Sequence, residues 1–316
     1  MTKKPLILIA GPTASGKTKT SVMLARQMGG EIISADSMQL YKQMDIGTAK
    51  VRPEEMDGIP HYMIDELDAT QSSNVAWFKN KVTEYIDAIH AKGKVPILVG
   101  GTGFYINAIL FDTEFEETKE DHSYRDSLAA LVLEKGPLHV HQLLEEIDPK
   151  SAKAIHPNNS KRVIRALEYY HQTGEPISSH NFIQKDKRLQ MESPYDYTFF
   201  VLNMERDILY SRINQRVDQM IDEGVVSEVK SFFDKGLTED MTSMKAIGYK
   251  EFFPYFRQES TLDDCIDKLK QNTRQYAKRQ LTWFRHQTTP IFIDVDKLSF
   301  NAILIVDEMK KHIEIS

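Results

Sequence analysis

The chain has 316 residues, of which 41% are hydrophobic and 27% are charged, and its formal net charge at pH 7 is −6. This length and composition predict about two globular domains and exclude a disordered or fibrous protein. The single cysteine, Cys265, excludes an intramolecular disulfide and a Cys-x-x-Cys zinc site, and its apolar neighbours at helical spacing predict a core or half-buried position. No apolar run approaches the roughly 20 residues of a membrane span, so we expect a cytoplasmic protein without a membrane partner.

The negative net charge argues weakly against nucleic-acid binding, yet basic residues are concentrated near the C-terminus. Between Ile266 and His286, six lysines and arginines stand against one acidic residue, Asp267. Such a stripe can bind phosphates on an acidic protein, because salt screens charges beyond about 8–10 Å. On charge alone, a solvated helix face explains the stripe better.

Strand and helix patterns alternate over the first 110 residues. Apolar runs at 6–10, 31–35 and 95–99 predict buried strands, and helical patterns follow at 16–28 and 74–91. This alternation is typical of βαβ units with a parallel sheet.

The pattern changes near Asp112, after which helices dominate. Helical patterns occur at 124–134 and 138–145, and a third helix begins after Asn158 or Asn159 and stops before Gly174. A polar loop follows up to Tyr195, and the strand pattern returns at Tyr197. A helix with Arg206, Arg212 and Arg216, a long helix at 261–286 and a strand at 290–295 complete the chain. The sequence therefore predicts an α/β fold, with a P-loop-type parallel sheet core at 1–112 and 197–316, flanked by helices, and an all-helical insertion at 113–196.

A phosphate-binding loop follows the first predicted strand. The segment GPTASGKT fits G-x-x-x-x-G-K-[ST] and opens a helix, which is the context that this motif requires. Its amides and the helix N-terminus suit a phosphate, while Lys17 adds a full charge and Thr18 offers a hydroxyl to Mg²⁺. We expect diphosphate contacts from Gly11, Thr13, Ala14, Ser15, Gly16, Lys17 and Thr18.

The loop does not identify the molecule that carries the phosphate. The chain lacks the D-x-x-G and N-K-x-D motifs of a GTPase, and the strand VPILVGG ends in glycines where a Walker B acid would stand. The strand EIISAD does end in Asp36, so a nucleotide kinase stays possible on these grounds.

Further blocks accompany the loop from one end of the chain to the other. They are ISADSMQLYKQMDIGTAK (33–50), GIPHYMID (58–65), VPILVGGTGFYI (95–106), AIHPNNSKRVIRALE (154–168), KAIGYKE (245–251) and TRQYAKRQLTWFR (273–285). Their joint order resembles the tRNA dimethylallyltransferase family of the bacterial type. The resemblance implies that the loop holds the diphosphate of dimethylallyl diphosphate rather than ATP. It further implies transfer to N6 of adenosine-37 of tRNA and a helical insertion that clasps the anticodon stem-loop.

The reaction requires that the adenine amino group lose a proton as it attacks an allylic carbon. A carboxylate within hydrogen-bond reach can take that proton, and Asp36 is the candidate, with a helix cap as its alternative role. The leaving diphosphate gains charge, which Lys17, the loop amides, Mg²⁺ and an arginine can stabilise. The resemblance assigns that arginine to Arg216, whose alternative role is an exposed helix residue.

The target base must leave its stack to reach a closed pocket. The resemblance implies base recognition by Ser37, Met38 and Gln39, and a nucleotide contact by Thr102, which could also cap a helix. Gln39 offers both a donor and an acceptor to an adenine edge. For Met38, Trp283 and Phe284, core packing is the simpler role.

The remaining RNA contacts are expected from basic residues and from the blocks that carry the resemblance. Lys161, Arg162 and Arg165 share one helix whose other face is apolar. Together with these, we expect tRNA contacts from Asp36, Arg125, Lys245, Gly248, Tyr249, Lys278, Arg279, Gln280 and Arg285. We also expect a monomer that uses Mg²⁺.

Two other functions are compatible with the phosphate loop. One is a P-loop kinase or an isopentenyltransferase that acts on free adenine nucleotides, and the basic insertion argues against it because a small substrate needs no such surface. The other is a nucleotide-switched RNA-binding module, which the missing GTPase motifs disfavour and which would leave Asp36 without a task.

Overall fold

The computed structural model describes residues 3–113, 123–182 and 192–313. Its centre is a six-stranded parallel sheet in the order β3-β2-β4-β1-β5-β6. Strands with helices on both faces are buried on both sides, so their sequences are continuous apolar runs such as LILIA in β1. The strands are β1 Lys4–Ala10, β2 Gly30–Ala35, β3 His61–Tyr62, β4 Val95–Gly100, β5 Tyr195–Asn203 and β6 Ile291–Asp294.

Side-chain caps mark the start of several helices. Asn74 accepts a hydrogen bond from the amide of Trp77 at 2.8 Å, and Thr261 and Asp264 form a capping box. In chain order the helices are α1 Lys17–Met28, α2 Pro53–Met56, α3 Val75–Ala91, α4 Gly103–Leu110, α5 Ser123–Lys135, α6 Pro137–Ile147, α7 Pro149–Ala154, α8 Ser160–Thr173, α9 at 177–182, α10 Arg206–Asp222, α11 Val225–Asp234, α12 Phe253–Phe256, α13 Leu262–Gln287 and α14 Ala302–Lys310.

The chain forms two compact units. The sheet unit comprises Met1–Asp112 and Ser193–Ser316, and the helical unit comprises Thr113–Glu192. The second boundary therefore precedes the expected residue 196. The reason is that Tyr195 and Asp196 already pair with Lys4 and Pro5, so β5 begins before its apolar run.

Each unit has its own hydrophobic core. That of the sheet unit includes the buried strand residues and Cys265, which is 3% exposed, so the prediction of a core cysteine is confirmed. The core of the helical unit contains Leu128, Val140, Leu144, Ala152, Val163, Ala166 and Leu167. The spacing of Val163, Ala166 and Leu167 on α8 agrees with the predicted apolar face.

The segment that follows α8 differs in part from the predicted loop. Residues 177–182 are helical, where the polar sequence favoured a loop, and residues 183–191 of that expected loop lie outside the described residues. Gly174 ends α8 with a φ of 76°, as predicted. Asn159 holds the N-cap position of α8, but its side chain makes no capping hydrogen bond. In the described part of the chain, every helix is too short or too polar to cross a membrane.

Candidate active site

The phosphate loop joins β1 to α1 through backbone conformations that favour glycine. Gly11 and Gly16 have φ angles of 147° and 89°, and Ala14 has a φ of 63°. These turns lead the loop into the N-terminus of α1, where amides and the helix dipole suit an anion. Lys17 begins the helix, and its Nζ donates to the carbonyl oxygens of Gly11 and Pro12 at 2.9 and 2.7 Å. The ammonium group of Lys17 is thus bound by the backbone of the loop itself.

Two arginines of α10 lie beside this loop. Arg212 donates through Nε to the carbonyl oxygen of Ala14 at 2.9 Å, and its guanidinium lies 4.2 Å from the ring centre of Phe300. Arg216 follows one turn later, and its Nε is buried without a hydrogen-bond partner among the described residues. An unpaired buried donor costs about 1–3 kcal/mol, so Arg216 fits an anionic ligand better than the exposed-helix role.

Asp36 lies just past the end of β2, next to Lys17. Its Oδ1 accepts a hydrogen bond from the amide of Met38 at 2.9 Å. The next helix after Asp36 begins only at Pro53, so the helix-cap role is wrong. Burial raises the pKa of Asp36 above its ordinary 3.8, against the opposing effects of Met38 and Lys17. Burial also lowers the pKa of Lys17 to about 8, while Asp36 raises it and Arg216 lowers it further. Perturbed groups that share a site are typical of active sites.

These groups line one cavity of about 1030 Å³ in the sheet unit. Its wall contains the loop residues Thr13–Thr18, Asp36, Gln39, Arg216 and Gln280, all of which were predicted from the sequence as site residues. Tyr276 and Arg212 also line the cavity, and neither was predicted to do so. Tyr276 stands four residues before Gln280 and so shares its helix face, which is the signal that could have found it.

The side chains of the expected base-recognition segment, residues 37–39, largely contact the protein itself. The side-chain Nε2 of Gln39 lies 3.4 Å from the carbonyl oxygens of both Thr48 and Ala49. Its Oε1 accepts a hydrogen bond from Ser34 Oγ at 3.3 Å. Both N–H groups of this amide therefore face backbone oxygens, so Gln39 does not offer a free donor to an adenine edge, contrary to the expectation. Ser37 is half-buried, and Met38 packs against the hydrophobic core, which was its simpler expected role.

The glycines of the turn 100–103 allow α13 to approach. A Cβ on Gly101 would lie 2.2 Å from the amide nitrogen of Gln280, and one on Gly103 would lie 2.2 Å from Trp283 Cδ1. The turn therefore makes room for side chains of α13, in addition to any contact that Thr102 makes with a substrate. Thr102, between these glycines, is the N-cap of α4 through its backbone, and its side chain makes no capping hydrogen bond.

Several residues expected at the RNA interface differ in exposure. Tyr249 is fully buried and its hydroxyl donates to Glu228 Oε1, so an RNA contact for this side chain is wrong. Gly248 is also buried, and its amide donates to Glu251 Oε2 at 2.9 Å. Gln280 is buried, and Phe284 is a core residue as expected. The exposed members are Lys245, Lys278, Arg279 and Arg285.

Glu228, which was not predicted from the sequence, holds the loop that forms one wall of the cavity. Its carboxylate accepts hydrogen bonds from the amides of Asp45, Ile46 and Gly47 at 3.0, 2.8 and 3.0 Å. The Tyr249 hydroxyl supplies a fourth hydrogen bond. A carboxylate that accepts hydrogen bonds from several backbone N–H groups holds that backbone in one conformation. No local pattern reveals such a partner, because Glu228 is distant in sequence from the loop.

In the helical unit, one buried carboxylate organises two of the expected RNA-binding arginines. Glu168 is 3% exposed, and its Oε2 lies 2.6 Å from Arg125 Nη2 and 3.2 Å from Arg165 Nη1. Both guanidinium groups remain about half exposed. Lys161 and Arg162 are exposed on the same helix as Arg165.

The acidic residues that the structure describes do not form a metal site by themselves. Within residues 3–113, 123–182 and 192–313, no three His, Cys, Asp or Glu side chains are grouped so that they could hold a metal ion. Thr18 lies half-buried on the cavity wall. Because Mg²⁺ often takes one or two protein ligands and completes its shell with phosphate oxygens and water, these residues fit the ion only together with a bound diphosphate.

Comparison with known proteins identifies the family. The sequence model of the IPP transferase family matches residues 39–287. The chain belongs to the IPP transferase family. It is 48% identical to a tRNA dimethylallyltransferase of Lachnoclostridium phytofermentans, with 97% of both chains covered, and 48% identical to one of Halalkalibacterium halodurans, with 95% and 94% covered.

Solved structures agree with this family assignment. A tRNA delta(2)-isopentenylpyrophosphate transferase from Staphylococcus epidermidis matches with a TM-score of 0.72 and 42% identity, covering 98% of this chain and 99% of that one. A eukaryotic dimethylallyltransferase acting on tRNA matches with a TM-score of 0.79 and 29% identity, covering 99% and 81%. The predicted α/β fold and the family resemblance are both confirmed.

Proposed function

We propose that this protein transfers the dimethylallyl group of dimethylallyl diphosphate to N6 of adenosine-37, beside the anticodon of tRNA. The observation that carries the proposal is the convergence of Lys17, Asp36 and Arg216 on one cavity. The names of the curated relatives, which match nearly the whole chain, support prenyl transfer to tRNA as its activity. The position of the adenosine and the identity of the allylic donor are our inference.

The phosphate loop would hold the diphosphate of the donor. Bound oxygens would replace the loop carbonyls as partners of Lys17 Nζ, and the unpaired Nε of Arg216 would donate to the same group. These charges stabilise the diphosphate as it leaves with the electron pair of the broken carbon–oxygen bond. This arrangement favours a diphosphate site in which the cations are already placed before the reaction.

Asp36 would act as the base. As the lone pair of N6 forms the new carbon–nitrogen bond, one N6 hydrogen leaves as a proton and the carboxylate of Asp36 accepts it. Burial raises the pKa of this carboxyl group, which makes it a stronger proton acceptor than an ordinary aspartate.

We include Mg²⁺ in the proposal because the loop offers one suitable ligand. The Thr18 hydroxyl would hold the ion together with diphosphate oxygens. When bound, the ion would neutralise part of the charge on the diphosphate.

The helical unit would bind the anticodon stem-loop. Its exposed cations Arg125, Lys161, Arg162 and Arg165 suit phosphate contacts, which position a nucleic acid without reading its sequence. The exposed Lys245, Lys278, Arg279 and Arg285 of the sheet unit would add to the interface. We further propose that the protein is a cytoplasmic monomer.

The test is an incubation of the protein with unmodified tRNA, magnesium and dimethylallyl diphosphate labelled in its allylic carbons. The expected result is label on the target adenosine and release of unlabelled diphosphate, abolished when the adenosine is replaced or magnesium is chelated. Parallel reactions contain ATP labelled in its γ-phosphate with the same tRNA, or free adenine nucleotides with the labelled donor. Phosphoryl transfer in the first, or faster prenylation of free nucleotides in the second, would replace the proposal by one of its alternatives.

A further inference from the structure

Gln280 carries a buried amide on the wall of the catalytic cavity. It lies in α13 (Leu262–Gln287) and is 7% exposed. A buried amide is costly unless its donor and acceptor are both paired, so an unpaired half calls for an explanation.

The donor half of this amide is satisfied, which determines its orientation. Nε2 donates to the carbonyl oxygen of Gly101 at 2.9 Å. The reversed amide would place two oxygens against each other, so Nε2 must face Gly101. The absence of a Cβ on Gly101 permits this approach, since an added Cβ would lie 2.2 Å from Nε2.

The acceptor half is unsatisfied. Oε1 is buried and makes no hydrogen bond to any residue that the structure describes. Tyr276, one turn earlier on the same cavity wall, makes no hydrogen bond to this oxygen. Gln280 shares its cavity wall with Asp36 and Lys17. A ligand that completes this site must therefore supply a hydrogen-bond donor.

The two substrates of the proposed reaction differ in this respect. Ionised diphosphate and its hydrocarbon chain contain no N–H or O–H group. The adenine amino group contains two N–H groups, and the reaction removes only one of them. The second hydrogen stays on nitrogen in the product and needs an acceptor in a closed pocket.

We infer that Gln280 Oε1 accepts the second N6 hydrogen of the adenine and so orients the amino group toward the allylic carbon. This inference rests on the proposed function. As N6 attacks, it gains positive charge, and a hydrogen bond from a charged donor is stronger than one from a neutral donor. Gln280 therefore contributes to base selection in binding and to the rate of transfer.

The experiment compares two anticodon stem-loops that differ only in the amino group of the target base, adenosine against purine riboside. Binding is measured for the wild type and for Gln280→Met, with Gln275→Met, an exposed glutamine of the same helix, as the matched control. We expect the wild type and the control to favour adenosine, and Gln280→Met to reduce that preference by about 5- to 10-fold, the equivalent of one hydrogen bond. Its kcat should fall as well, while its affinity for dimethylallyl diphosphate should stay unchanged.

The inference is overturned if the wild type binds both stem-loops equally, a result that needs no variant to fold. It is equally overturned if Gln280→Met keeps the wild-type preference and kcat, or weakens adenosine, purine and diphosphate binding to the same degree, as a purely structural residue would. Failure of the proposed function is separate, because in that case the wild type transfers no label to tRNA.

Discussion

Three charged groups of the cavity have pKa values shifted by burial, whereas two arginines of the helical unit are half exposed and form ion pairs. Burial is the largest cause of the pKa shifts of Lys17, Asp36 and Arg216. In the helical unit, Arg125 and Arg165 stay about half exposed and pair with Glu168. Burial changes the proton affinity of a group, whereas pairing at the surface mainly holds it in place. The cavity is therefore suited to chemistry, and the helical unit to positioning a large anionic partner.

The largest effect should come from removing the proton acceptor of the cavity. In Asp36→Asn the amide oxygen can still accept from Met38, so the local turn is kept while the base is removed. We expect transfer to fall by about 10²–10⁴-fold in single-turnover measurements, with tRNA affinity retained. Glu54→Gln, an exposed acid on the same cavity wall, is the control and should react normally. A rate within threefold of wild type for Asp36→Asn would remove Asp36 from the chemistry.

The next largest effect should come from the cations that face the diphosphate. Lys17→Ala and Arg216→Ala each delete a charged donor, which corresponds to about 10- to 100-fold in affinity. We expect weaker binding of dimethylallyl diphosphate by calorimetry and slower turnover, with unchanged tRNA binding. The control is Arg26→Ala, an exposed arginine at the far end of α1. Unchanged diphosphate affinity in both cavity variants would show that the loop binds another ligand.

A smaller effect should separate the helical unit from the cavity. We expect the double variant Arg162→Ala/Arg165→Ala to weaken tRNA binding and to reduce its log–log salt slope by about 0.7–0.9 for each phosphate that is no longer neutralised. The affinity for dimethylallyl diphosphate should barely change. A matched double variant, Lys150→Ala/Lys153→Ala, removes two exposed lysines of the neighbouring α7. Two outcomes would contradict a separate role for the helical unit. One is that both double variants reduce the salt slope of tRNA binding equally, and the other is that Arg162→Ala/Arg165→Ala weakens the binding of tRNA and of dimethylallyl diphosphate to the same degree.

The smallest effect should appear in the pH profile. The pKa of Lys17 is about 8 in the free protein, so raising the pH above 8 removes its charge and lowers affinity for the diphosphate. At acidic pH, protonation of Asp36 removes the base, and this effect begins above the ordinary aspartate value because burial raises its pKa. We expect a bell-shaped kcat/KM for dimethylallyl diphosphate, with the acid limb absent in Asp36→Asn. A profile that stays flat from pH 5 to about 9 would contradict the proposed roles.

The sequence was informative wherever a local pattern carries the signal. Periodicity predicted α13 as one helix at 261–286, and the structure has it at Leu262–Gln287. The motif at 11–18 located the phosphate loop between β1 and α1. The sequence was misleading at Tyr249, because a motif residue that packs against the core and one that binds a ligand look the same in a single sequence.

The sequence by itself determined the family, the α/β class, the position of the helical unit and most of the residues that line the phosphate end of the cavity, because each depends on short-range spacing or on an ordered set of motifs. Only the tertiary structure decided which polar atoms are paired and which are left for a ligand. Glu228 meets amides of residues 45–47, and Gln280 meets Gly101, across long stretches of chain. Such contacts depend on how distant segments are brought together in space, and burial, which shifts the pKa of Asp36 and Lys17, is a property of that packing.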